Sequence, residues 1–368
     1  MSNKWITALT KSFGKLASDI ENPEARVVAL PSPSMNWVVG NGGIAVGKAV
    51  TLFGPESGGK SLLMQLILIQ LQKDNPEGIC ILFDAEMAFN PKWFKQLGGD
   101  TDRLIVRATN DPTKIFDYIA GDMNELVQDG APIVGIAIDS IKSIRYPKDH
   151  KEVSTKMVMG GSGAAYLGSA FKMILPVIRE HNITTVLVQQ VYEEMDEMKK
   201  MLNPFVVPDG RSLKHFSDYM LEVTRLDTKA GRIEEGENIH GGNQQVGHKV
   251  RVRGKKNRVG APFRTGQFSL HYTKGIINVG EEIFDLAKSL GVVYHPVNPD
   301  TGKENVQMWK VLDRPPVRGE ANIKEIVVND KVLQEEIIKA CNAVDDAVIA
   351  KRNEELGIDD NDFSDVLK

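Results

Sequence analysis

Residues 54–61 read Gly54-Pro55-Glu56-Ser57-Gly58-Gly59-Lys60-Ser61. A glycine, four residues and then Gly-Lys-Ser is the spacing of a phosphate-binding loop (P-loop). Its glycines leave backbone N–H groups free to surround phosphate oxygens, and a helix starting there adds the positive end of its dipole. Lys60 is then placed to reach β- and γ-phosphates, and the Ser61 hydroxyl to join a Mg²⁺ shell. Two carboxylates suit the same chemistry. Asp139 closes the apolar run 133–138, where it either holds the Mg²⁺ shell directly or through water, or is a plain strand-end aspartate. Glu86 follows the apolar run 79–83 and Asp84. There it either orients or deprotonates an attacking water, or is a solvent-facing loop residue. A chance glycine-rich turn competes for residues 54–61, but all eight positions and both flanking elements fit the P-loop.

These groups need strands and helices to hold them. Residues 49–54 read as a buried strand and 62–72 as a helix. Apolar runs at 79–83, 104–106, 133–138 and 185–188 alternate with helical patterns such as 115–127 and 164–179. That alternation predicts an α/β fold, a mostly parallel central sheet with helices on both faces. Ligands of such sheets bind at the carboxyl ends of strands, where Asp84, Glu86, Asp139, Ser140, Gln189 and Gln190 all fall.

A chain of 368 residues is too long for one ordinary core, so one large domain with smaller additions is expected. With 42% hydrophobic and 26% charged residues the composition is that of a globular protein. No apolar run approaches the ~20 residues of a membrane span, and the first twenty residues lack a signal-peptide core. Cys80 and Cys341 lie far apart; Cys80 sits in a strand pattern, so a buried thiol in a reducing compartment is expected. No Cys/His spacing suggests zinc.

Trp5, Leu9, Phe13, Leu16 and Ile20 form one apolar stripe on a helix, and 25–30 reads as a short strand. Such a helix and strand either pack on their own domain or dock on a neighbour, adding a strand to its sheet. Two long connections lack a clear period. One, 145–163, carries Lys148, Lys151, Lys156 and a Gly-Gly-Ser-Gly run. The other, 191–211, carries Lys199, Lys200, Met201 and Phe205, but also Glu193, Glu194, Asp196 and Glu197. Loops this long are functional or disordered, and lysines with aromatic or Met side chains suit a single-stranded nucleic acid. Lys249, Arg251 and Arg253 alternate with Val250 and Val252, so three cations share one strand face. From Asn238 to Gly280 there are eight Lys or Arg and no Asp or Glu, which points to a polyanion, a triphosphate or a nucleic acid. Residues 281–350 read as a small C-terminal domain, and 351–368 as an acidic tail.

Together these motifs resemble the RecA family of recombinases, and more loosely its phage-encoded relatives. The resemblance runs from about residue 25 to 290. It rests on the 54–61 loop, Phe83-Asp84-Ala85-Glu86 with Asn90-Pro91, Ile138-Asp139-Ser140, Gln189-Gln190, and Lys256-Asn257-Arg258 with Ala261-Pro262-Phe263. It implies a RecA-type P-loop ATPase core over 34–280, an N-terminal oligomerisation arm over 1–33, and the two long connections as DNA-binding loops. It makes Glu86 the residue that activates water, Gln190 a γ-phosphate sensor leading into the second loop, and Asp139 a metal-holding aspartate. Trp93 takes the place of an aromatic that stacks on adenine, and Asn90 that of a polar contact to the base. Lys256 and Arg258 match a basic pair that reaches the ATP of the adjacent subunit. Ser61 for threonine, Gly58 for serine, Gln189 for asparagine and Arg258 for lysine depart from the pattern and suggest a divergent, phage-type member.

The implied activity is DNA-dependent ATP hydrolysis by a helical filament on single-stranded DNA, with homologous pairing and strand exchange. ATP and Mg²⁺ are the expected cofactors, with ATP at protomer interfaces. Expected partners are single- and double-stranded DNA and further copies of the chain, with single-strand-binding or mediator proteins as further candidates and no membrane. The expected location is the cytoplasm of a bacterium, or of a host cell if phage-encoded. A ring-forming helicase motor and a nucleotide-binding filament scaffold with little hydrolysis are the alternatives.

Overall fold

The structure, a computed structural model, describes residues 26–145, 162–195, 205–208, 210–237, 243–298 and 302–355, with Ile6, Thr10, Lys11 and Met198. The expected N-terminal apolar stripe, most of the 145–163 connection, part of the second connection and the acidic end of the tail lie outside the described residues.

The strands are β1 (Val27–Val28), β2 (Ile44–Ala45), β3 (Ala49–Gly54), β4 (Ile79–Asp84), β5 (Leu104–Ala108), β6 (Ile133–Asp139) and β7 (Thr184–Gln190). Then come β8 (Tyr192–Glu193), β9 (Phe205–Val206), β10 (Tyr219–Arg225), β11 (Arg232–Glu237), β12 (Asn243–Asn257), β13 (Thr265–His271) and β14 (Gly275–Ile277). The last three are β15 (Val293–Tyr294), β16 (Met308–Val311) and β17 (Val317–Arg318). A ten-stranded sheet runs β14-β13-β12-β10-β3-β7-β6-β4-β5, with β11 also on β12. From β10 to β5 every pairing is parallel; β12, β13, β14 and β11 are antiparallel. This is the expected mostly parallel α/β sheet, with an antiparallel side added at β12, β13, β14 and β11.

The apolar runs of β3, β4, β6 and β7 are continuous because helices cover both sheet faces. Helix Lys60–Asp74 is apolar on nearly all sides, and Leu62 to Ile69 are all buried. It has to be covered all round. Helix Ser162–Glu180 is amphipathic and places Leu167, Phe171, Ile174 and Ile178 against the opposite face. The C-terminal helices Glu320–Asn329 and Lys331–Glu355 contribute Ile323, Val327, Leu333 and Ile337 to the same apolar cluster as Ile67 and Leu221. The part after residue 281 thus shares the main core.

The expected strand over 25–30 shrinks to Val27–Val28, which pairs antiparallel with Ile44–Ala45 of its own chain. A Cβ on Gly43 would stand 2.6 Å from Val28 O, so this backbone approach depends on glycine. Of the two placements open for that strand, it takes the one on its own domain. The sheet ends instead on β5, where Ile105 is 54% exposed and Val106 also reaches the surface. Cys80 and Cys341 are free and buried, as expected for Cys80. Among the described residues no helix is long and apolar enough to cross a membrane.

Candidate active site

Four adjacent strands, in the order β3-β7-β6-β4, carry the site at their carboxyl ends. They present the P-loop, Gln190, Asp139 and Glu86 side by side. Gly54 pairs with Gln190, and Asp84 with Asp139, while Ile138 pairs with Leu187, so β3 and β7 reach two residues further than β6 and β4. Backbone N–H groups of Ala85 and Glu86 both donate to Asp139 O, at 2.7 and 3.1 Å, fixing the Glu86 turn against β6. Asp84 is spent on that turn, accepting from Phe89 N at 2.8 Å.

The P-loop leaves β3 through Gly54, at φ 154°, where a Cβ would meet Val223 O at 2.1 Å. Only glycine lets the loop pass so close to β10. Gly59, at φ 94°, then starts helix Lys60–Asp74, which begins two residues earlier than the apolar pattern predicts. Lys60 is buried and donates to Pro55 O at 2.5 Å. Burial pushes its ammonium down, and the carboxylates of Asp139, Glu86 and Glu56 partly offset this. A phosphate would supply the missing negative charge and take over that ammonium.

Asp139 is pushed up to about 6, chiefly by burial, although a hydrogen bond with the Ser61 side chain favours its charged form. Its Oδ1 is buried with no protein partner. A carboxylate with an orphaned oxygen beside a hydroxyl fits Mg²⁺, which takes one or two protein oxygens and fills its shell from water and phosphate. Among the described residues no group of three or more His, Cys, Asp or Glu gathers for a metal.

Glu86 Oε1 accepts from Ser140 Oγ at 2.6 Å and from Gln190 Nε2 at 2.9 Å. The Asp139–Ser140 peptide is cis. A cleft of about 270 Å³ opens beside the loop, lined by Ser57 to Leu62 with Trp93, His248, Leu270 and Tyr272. Trp93 is held on its rim by Nε1–H donating to Tyr272 O at 2.7 Å. Asn90 caps the helix Pro91–Gln96 that carries Trp93, its Oδ1 accepting from Lys92 N and Trp93 N. That oxygen is committed, so any contact to a base falls to the amide nitrogen.

Lys256 and Arg258 are not brought to this site. Lys256 pairs with Met220, and Met220 with Thr51, so it lies two strands from β3 and three residues, about 10 Å, below Gly54. Its ammonium donates to Lys214 O and Ser217 O. Burial and neighbouring Arg258 push it down to about 8. Arg258 donates to His215 O at 3.1 Å and lies 3.8 Å from Asp218. Both cations therefore rest at the end of helix Gly210–Phe216.

The cation-rich stretch 238–280 is partly neutralised by acids from elsewhere in the chain. Lys255 pairs with Glu222 at 2.9 Å and Lys274 with Glu235 at 3.3 Å. Lys249, Arg251 and Arg253 do share one face of β12 while Val250 and Val252 are buried, as the alternation predicts. Sequence reasoning placed Ser140 at a strand end without its bond to Glu86, and missed Lys142, His248 and Tyr272. His248 is 4% exposed with neither ring nitrogen partnered by protein, which only the fold reveals.

Fold and loop together define a P-loop α/β protein. The family model of the RecA N-terminal domain matches residues 3–277, and the chain belongs to the RecA family. It is 31% identical to "Protein RecA" of Aquifex pyrophilus over 78% of either chain. It is 28% identical to "Protein RecA" of Thermus aquaticus, over 89% of this chain and 94% of that one. The "Mitochondrial DNA repair protein recA homolog" of Dictyostelium discoideum is 27% identical over 82% of this chain and 65% of its own.

Proposed function

We propose that this chain is a DNA-dependent ATPase that assembles as a helical filament on single-stranded DNA and catalyses homologous pairing and strand exchange. The observation that carries this reading is the division of the site within one subunit. Lys60, Ser61, Asp139 and Glu86 meet at one end of the sheet, while Lys256 and Arg258 lie below and two strands away. The pair is best used on the nucleotide of a neighbouring copy.

In this reading the P-loop N–H groups and Lys60 hold the triphosphate, and Ser61 and Asp139 hold Mg²⁺, which supplies charge neutralisation at the phosphates. Glu86 orients the attacking water and takes its proton. Trp93 stacks on the base, and Asn90 contacts its edge. Gln190 links the nucleotide to the connection that begins at Val191, and that connection and 145–163 are the proposed DNA loops. The residues preceding β1 serve as an oligomerisation arm, and the edge of β5, unpaired among the described residues, is the surface that a neighbour's segment would extend. A relative named for DNA repair supports the biological setting.

Micrographs of the protein with single-stranded DNA and a non-hydrolysable ATP analogue test the reading, together with phosphate release with and without DNA. Open helical filaments and DNA-stimulated release are expected. Closed rings would move the chain to the helicase-motor class.

A further inference from the structure

Lys142 lies in the single turn Ile141–Ser143 that follows β6. Its ammonium donates to Gln190 Oε1 at 2.9 Å and stands 4.7 Å from the centre of the Tyr192 ring. Gln190 in turn donates to Glu86 Oε1. An ammonium only donates and a carboxylate only accepts, so the amide between them has a single orientation, oxygen to Lys142 and NH₂ to Glu86. With Ser140 also donating, two donors hold Glu86 by Oε1 and fix the turn of its carboxylate.

Tyr192 sits where the second connection begins. It is exposed, and its strand β8 pairs with β9, Tyr192 opposite Val206, to close the base of that connection. A nucleic-acid base stacking on the Tyr192 ring would displace the Lys142 cation from the same face. Lys142 thus touches, at once, the glutamine that occupies Glu86 and the ring a DNA strand would claim.

We propose that Lys142 is a positioning residue that latches Gln190 onto Glu86 until DNA engages Tyr192, restraining hydrolysis in the absence of DNA. This rests on the ATPase reading above. Release of the ammonium from Tyr192 frees the Gln190 amide to turn, and the Glu86 carboxylate to swing toward the water.

The test is phosphate release by wild type, Lys142→Met, Lys142→Arg and Tyr192→Leu, with and without a single strand of polythymidine. Lys142→Met should raise the DNA-free rate roughly tenfold, the size of one hydrogen bond to a charged group. Its DNA-saturated rate should stay that of wild type. Lys142→Arg should restore restraint, and Tyr192→Leu should raise the DNA-free rate in the same direction. A Lys142→Met rate at the wild-type DNA-free level, in a wild type that DNA does stimulate, overturns the latch; so does Lys142→Arg matching Lys142→Met. A wild type that DNA does not stimulate overturns the parent reading instead.

Discussion

Gln190 donates to Glu86 Oε1 at 2.9 Å, a bond between the last residue of β7 and a residue two beyond β4. Strand β6, with Asp139 at its end, lies between them. The proposed base and the start of the second connection are therefore joined across the proposed metal-holding aspartate.

Glu86→Gln keeps an oxygen that accepts from Ser140 and Gln190 but cannot take a proton. ATP binding, followed by equilibrium dialysis, should persist, while phosphate release falls roughly 10²- to 10⁴-fold. Turnover near wild type would remove Glu86 from its role.

If Lys256 serves a neighbour's nucleotide, two dead variants should rescue each other. Lys60→Ala and Lys256→Ala each lose turnover alone. Mixed equally, they form one interface in four with both lysines intact, so about a quarter of wild-type phosphate release should return. No recovery in the mixture would put both groups in a single subunit's site.

Trp93 is held by Tyr272 O against the cleft beside the P-loop. Removing an aromatic that stacks on a base costs about 1–3 kcal/mol. Trp93→Ala should weaken ATP binding roughly tenfold or more, and Trp93→Phe much less. Unchanged affinity in the alanine variant would place the base elsewhere.

Glu282 gives a pH test away from the site. Its Oε1 accepts from Ser32 Oγ and Ser34 N, both at 2.7 Å, while Oε2 is buried with no protein partner. Burial pushes this carboxyl from 4.5 up to about 7. The folded state then holds a proton that the unfolded chain releases, so this group's contribution to stability falls as pH rises from about 4.5 to about 7. The loss is on the order of 3 kcal/mol at most. Glu282→Gln should therefore raise Tm at pH 8 by a few degrees, with the gain fading by pH 5. A gain independent of pH would contradict a buried charge as its cause.

The parts legible in sequence were those with a local cause. The P-loop spacing, the buried run of β3 and the carboxylates at the ends of β4 and β6 all stood where expected. Strand β7 runs two residues past its apolar pattern because Gln189 is buried and donates to Pro208 O, a partner the one-dimensional pattern does not show. The 238–280 stretch looked free of acids because Asp218, Glu222 and Glu235 reach it from outside that window. Lys142 carries no signal in the sequence, since its meaning comes only from Gln190 and Tyr192 folding against it.

Strand β12 is fifteen residues long, and two of its side chains face different nucleotides in the proposed assembly. His248 walls the cleft of its own subunit, and Lys256 is the residue proposed to serve the next. Eight residues of extended chain separate them, about 27 Å of stiff, sheet-bonded backbone. In that proposed assembly such a strand would act as a ruler: it would set how far apart successive ATP molecules lie, and a tilt of one subunit would displace the cations of the adjoining pocket in proportion.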